Sequence, residues 1–108
     1  MTERPVGTAI NATPNPFDPF SGEHVTLTVP AARAGSHVVA GVFDLDGRRI
    51  ADVGSASAFP AVFVWDGRDA DGRMVVVGLY ILICEFYSNA GYSRRVEKVV
   101  VGCAREKR

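Results

Sequence analysis

The chain has 108 residues, 12 of them Lys or Arg and 12 Asp or Glu, with a formal net charge of zero. That length suits one domain around a single core, and the balanced charge leaves no field that argues for nucleic acid or an anionic membrane. The opening "MTERPVGTAI" lacks the apolar stretch of a secretory signal, and no run approaches the roughly 20 apolar residues that span a bilayer, so membrane insertion is not expected.

In chain order, Gly, Pro, Asn and Asp punctuate segments rich in Val, Ile and Thr, which is the pattern of an all-β protein. The first extended segment is expected from about Val6 to Ala12, ending at "TPNPFDPF", whose prolines block both a helix and a central strand. In "EHVTLTV" Val25, Leu27 and Val29 alternate with Thr26 and Thr28, giving a strand buried on one side. "HVVAGVFDL" follows, with Val38, Ala40 and Val42 on one face. Asp46-Gly47 is a hairpin turn signal, and "RRIADV" is its partner strand. "GSASAFP" is expected to be a flexible link, and "AVFVW" a further strand. "MVVVGLYILICEFY" is almost continuously apolar, with Gly78 dividing a short segment from a long strand, Leu79 to Tyr87. "SNAG" turns the chain into "YSRRVEKVVV", the closing strand. About seven strands with turns every eight to twelve residues or so predict a β-sandwich.

The long strand has two apolar faces. Tyr80, Leu82, Cys84 and Phe86 form one, and Leu79, Ile81 and Ile83 form the other. In a two-layer sandwich only one face of a strand meets the core. The surplus face is either covered by a loop or offered to a partner. Cys84 lies within this apolar run and Cys103 just past another, so both suggest buried free thiols, although spacing leaves a bridge between them open.

The acidic stretch Trp65 to Arg73, "WDGRDADGR", raises the question of calcium. Calcium takes roughly six to eight oxygens, and an EF-hand loop needs Gly at its sixth position and Glu at its twelfth. Counting from Asp66 puts Asp71 and Val77 there, and counting from Asp69 puts Met74 and Tyr80 there. Neither frame fits. A looser site could use Asp66, Asp69 and Asp71, but Arg68 and Arg73 stand among those carboxylates. Two successive turns, Asp66-Gly67 and Asp71-Gly72, need less, because Asp bonds its own backbone and Gly accepts positive φ. No catalytic residues and no cofactor are expected. His24 and His37 lack metal-ligand spacing, and neither a nucleophile elbow nor a glycine-rich phosphate loop occurs.

Taken in order, "NPFDP" (Asn15 to Pro19), "VFDLDGRRIADV" (Val42 to Val53), "WDGRDADGR", "GLY" (Gly78 to Tyr80) and "EKVVV" (Glu97 to Val101) form a set. The set resembles the C-terminal immunoglobulin-like module named after the flagellar hook-capping protein, and also the C-terminal sorting domains of the bacterial type IX secretion pathway. The resemblance covers about residues 13 to 101. Val77 departs from it, standing where a small Ser is usual, and "GCAREKR" runs past the usual last strand. It implies an immunoglobulin-like β-sandwich without a catalytic site, at the end of a larger exported or surface protein. In sorting domains the last strands and their Gly and Lys are what the export machinery is thought to read. By match these are Gly78, Tyr80 and Lys98, although Gly78 could instead bend the strand, Tyr80 sit in the core and Lys98 face solvent.

The expectation is thus one immunoglobulin-like domain over residues 1–108, with a core from about 6 to 101 and a basic tail from 102 to 108. It would be a secreted, periplasmic or surface accessory domain whose partner is secretion machinery or a neighbouring domain. The partner would meet Gly78, Leu79, Ile81, Ile83 and Lys98. Self-assembly of the hook-cap kind, with a homo-oligomer, and a calcium- or carbohydrate-binding module are the alternatives.

Overall fold

The computed structural model describes residues 10–32 and 35–102. Among these residues seven strands form: β1 (Asn11–Thr13), β2 (Val25–Val29), β3 (His37–Phe43), β4 (Arg49–Ala56), β5 (Ala61–Trp65), β6 (Gly78–Ser88) and β7 (Gly91–Val101). Every strand pair is antiparallel, in a three-stranded sheet of order β1-β2-β5 and a four-stranded sheet of order β4-β3-β6-β7. This is an all-β, immunoglobulin-like sandwich. Its fourth strand joins β3 on the larger sheet rather than β5 on the smaller.

Period-two patterning decides what each strand buries. Val25, Leu27 and Val29 face Val38, Ala40 and Val42 across the sandwich, all at 1% exposure or less. From β6 the core takes Tyr80, Leu82, Cys84 and Phe86, and from β7 Val99 and Val101. Burying each large apolar side chain of this kind is worth about 1.5–3 kcal/mol.

One sequence expectation needs correction. "GSASAFP" is not all link: Gly54, Ser55 and Ala56 extend β4 and pair with Ala40, Val39 and Val38 beyond a register shift at Ala40/Gly41. Gly and Ser suggested a loop, but a bulge lets the strand continue. The strand expected from Val6 falls largely outside the described residues, and its described part is β1, Asn11–Thr13.

The proline segment does more than stop a strand. Phe17 is 2% exposed and forms a parallel bridge with Val101, its N–H donating to the Val100 carbonyl at 3.0 Å. Phe17 meets Trp65 edge-on at 5.6 Å, and Trp65 meets Tyr80 at 5.8 Å. The "NPFDP", "WDG" and "GLY" motifs therefore converge on one aromatic cluster. Edge-to-face pairs add about 0.5–1.5 kcal/mol each beyond their buried area.

Candidate functional site

The turn after β5 holds the acidic residues that calcium would need. Asp66 accepts the Arg68 N–H at 3.0 Å, and Asp69 accepts the N–H groups of Asp71 and Arg73 at 2.9 and 3.0 Å. The Ala70 N–H donates to the Ile50 carbonyl of β4, and the Trp65 indole N–H donates to the Arg68 carbonyl. Arg68 reaches the Gly72 carbonyl and lies 4.0 Å from the Asp66 carboxylate. The loop is a double Asx turn whose carboxylates serve its own backbone. It borders a cleft of about 600 Å³ lined also by His24 and Asp52. Among the described residues no group of three or more His, Cys, Asp or Glu is arranged to hold a metal.

Gly67 explains why this turn sits where it does. Its φ is +83°, and a Cβ there would stand 2.6 Å from the Pro19 Cβ. The "WDG" and "NPFDP" motifs thus touch at a point where only Gly fits.

The closing hairpin, β6 with β7, carries the sequence-predicted partner residues. Gly78 opens β6 opposite Val101 with negative φ, and a Cβ there would meet nothing nearer than 4.0 Å, so no steric need dictates glycine. Tyr80 belongs to the core and donates its hydroxyl to the Val76 carbonyl at 2.7 Å; burial raises its pKa. Cys84 is a free thiol with no exposed surface, and burial pushes its pKa up to about 11. Cys103 lies outside the described residues.

The surplus face is real. Leu79 is 36% exposed, and Ile81 and Ile83 are half-buried, with Val100, Lys98 and Val96 beside them on β7 and Phe43 beside Ile81 on β3. Lys98 faces solvent directly across from Ile81. Phe43, Leu45, Arg49, Ile81, Ile83 and Arg94 help line a concavity of about 440 Å³ on this face. Arg49 lies 5.0 Å above the Phe43 ring and pairs with Asp52. Gly41 leaves room for that stack, since a Cβ would come within 3.0 Å of the Arg49 guanidinium. At the hairpin tip Tyr87 and Tyr92 lie 5.2 Å apart, and the Tyr92 hydroxyl donates to Glu85, a bond that raises the phenol pKa. Sequence reasoning missed Phe43, Leu45, Arg49, Arg94 and Val96. Pairing "VFDL" with the long strand would have shown Phe43, but the register was not legible.

The outer edge of β7 is closed along its second half by the proline segment. The Asn15 side chain donates to the Lys98 carbonyl at 2.8 Å and accepts the Val100 N–H at 2.9 Å, as a strand's backbone would. Gly102 completes the run by donating to the Phe17 carbonyl at 2.8 Å.

No family model matches the sequence, and no curated protein matches it. Among solved structures, the chain is similar to part of dimeric latent PorU from Porphyromonas gingivalis, with 22% identity and a TM-score of 0.69 over 87% of this chain and 9% of that one. It is similar also to part of PorZ, described as an essential bacterial surface component of the type IX secretion system of the same organism. There the identity is 22% and the TM-score 0.59, over 86% of this chain and 11% of PorZ. The chain thus spans about a tenth of either protein's length, and at this identity the likeness is one of fold.

Proposed function

We propose that the chain is a non-catalytic accessory domain of an exported bacterial protein, serving in sorting, surface anchoring or spacing through type IX secretion. The observation that carries this reading is the closing hairpin, whose inner face sends Tyr80, Leu82, Cys84, Phe86, Val99 and Val101 into the core while the outer one leaves Leu79 exposed and Ile81 and Ile83 half-buried. The ordered motifs from "NPFDP" to "EKVVV" support it, as does a fold shared with part of a type IX surface component. The partner is protein, either secretion machinery or a neighbouring domain, and the domain is secreted, periplasmic or at the cell surface.

The test is a periplasm-directed fluorescent reporter joined ahead of residues 1–108 and expressed in Porphyromonas gingivalis. The reporter should reach the surface or medium, and should stay in the periplasm when the secretion system is deleted. Retention in both strains contradicts the reading. The same outer face favours one second reading, self-assembly of the hook-cap kind. Sedimentation equilibrium decides for it if the chain forms dimers that dissociate when Ile81→Lys or Ile83→Lys is introduced into a folded domain.

A further inference from the structure

The unbroken β6–β7 register arranges the outer face of the closing hairpin in rows. Alternation puts every second cross-strand pair on that face. Leu79 stands opposite Val100, Ile83 opposite Val96, and Tyr87 opposite Tyr92. Between the last two rows Glu85 stands opposite Arg94. Val96, Val100, Tyr87 and Tyr92 are exposed, and Arg94 is exposed beside them. Each of these rows joins two residues of like apolar kind or of opposite charge. The Ile81 row differs, because Lys98 stands opposite it.

That pattern is self-complementary, which is what an interface between two identical copies requires. A two-fold axis lying in the face, along the strands and between β6 and β7, sets β6 of one copy over β7 of the other without shifting the rows. Glu85 then meets Arg94 of the second copy, and Arg94 meets its Glu85. The Glu85 carboxylate accepts the Tyr92 hydroxyl at 2.9 Å and has capacity for a guanidinium as well. Ile83 meets Val96, Leu79 meets Val100, and Tyr87 meets Tyr92. Lys98 lies over Ile81, its stem on apolar surface and its ammonium at the rim. Axes across the strands do worse. One at the Ile83 row sets Arg94 against Lys98, and one at the Glu85 row sets Arg94 against Arg94; like charges so opposed are unfavourable. Midway between those rows, Glu85 and Arg94 both meet apolar side chains.

We infer that a second copy of this chain covers the outer face of the hairpin, about a two-fold axis along the strands, joined by two reciprocal Glu85–Arg94 ion pairs. The inference rests on the self-assembly reading of this face and adds its symmetry and its selecting charges. β6 and β7 have 11 residues each. They run about 35 Å at roughly 3.3 Å per residue, with strands about 4.8 Å apart. A patch of that size lies at the low end of specific interfaces, below about 1,200 Å² in total, so the dimer is weak and reversible. The apolar rows supply the hold and the ion pairs fix the register.

The experiment is sedimentation equilibrium of the full chain in reducing buffer, up to millimolar concentration, with amide spectra checking that each variant folds. The unaltered chain should dimerise, and association should weaken as salt rises. Glu85→Arg and Arg94→Glu should each weaken association at least tenfold, because each brings like charges together across the axis. An equimolar mixture of the two variants should dimerise again, since every facing pair is then opposite in charge. A second measurement needs no variant: with labelled and unlabelled chains mixed, intermolecular nuclear Overhauser contacts should join Ile83 to Val96 and Tyr87 to Tyr92. A chain that stays monomeric at millimolar concentration overturns both this inference and the self-assembly reading. Three results overturn the inference and leave self-assembly standing: dimers that Ile83→Lys dissociates but the charge reversals do not, a mixture that stays monomeric, or contacts joining the Glu85 row to the Ile81 row. Export of the reporter is a separate outcome and decides neither.

Discussion

Single residues show how few positions fix the sandwich. Gly67 and Gly72 share nearly the same φ, +83° and +85°, but a Cβ on Gly72 meets nothing while one on Gly67 strikes Pro19. Left-handed strain alone should make Gly72→Ala cost about 1 kcal/mol, and the added clash should make Gly67→Ala cost about 3 kcal/mol or more. Urea unfolding followed by Trp65 fluorescence checks the pair, and equal losses would mean the Pro19 contact is immaterial. Cys84 makes a pH prediction. The unfolded thiol releases its proton near its ordinary value of 9.0, whereas the folded one holds it to about 11, so the native state binds more protons between those limits. Its stabilising share is complete below pH 9.0 and is lost as pH rises toward about 11. Replacing Cys84 with Val should flatten the fall in unfolding midpoint across that window, and parallel profiles would contradict the assignment. Asp66 was legible as a turn residue because Asx chemistry is local, as its bond to the Arg68 N–H bears out, whereas the second turn, expected from Asp71-Gly72, takes its side-chain bonds from the Asp69 carboxylate, which accepts the Asp71 and Arg73 N–H groups.

At the level of elements, β6 is one strand with two environments. Leu82 is 0% exposed while Ile83 is half-buried on the outer face. Leu82→Ala should cost about 3 kcal/mol, and Ile83→Ala about 1 kcal/mol or less. Thermal or urea unfolding of the two variants separates them, and comparable losses would mean the outer face is packed. Strand spans and the two-faced pattern of β6 were legible because period-two alternation and turn residues are local signals. Two elements were not. The Gly54–Ala56 end of β4 resembles a loop in composition, and only its pairing with β3 makes it strand. The Asn15 clamp on Val100 joins residues 85 apart, a distance at which no local pattern operates. "NPFDP" was recognisable as part of a motif set, but its physical role appeared only when β7 lay beside it.

For the whole molecule, the arrangement of unlike surfaces matters more than any one residue. The core unites the aromatic residues of three motifs, Phe17, Trp65 and Tyr80, while the acidic double turn lies outside it. The outer faces of both sheets carry exposed apolar residues, Val62 and Val64 on β5 and Leu79, Val96 and Val100 on the closing hairpin. Among the described residues the hairpin joins such a face to a concavity walled by Arg49 and Arg94 together with Asp44 and Glu85. Exposed apolar surface of that form is where partners are expected to dock. The candidate face was legible in the sequence as a surplus of apolar residues on one strand. Its walls were not, because they come from β3, β4 and β7 and depend on register. The most direct measurement is the surface-exposed fraction of a periplasm-directed reporter fused ahead of this domain in Porphyromonas gingivalis, comparing the unaltered domain with Ile83→Lys and with Val62→Lys on the opposite sheet. With all three domains folded, the account predicts that Ile83→Lys stays in the periplasm while Val62→Lys is exported like the unaltered domain; equal export of all three would contradict it.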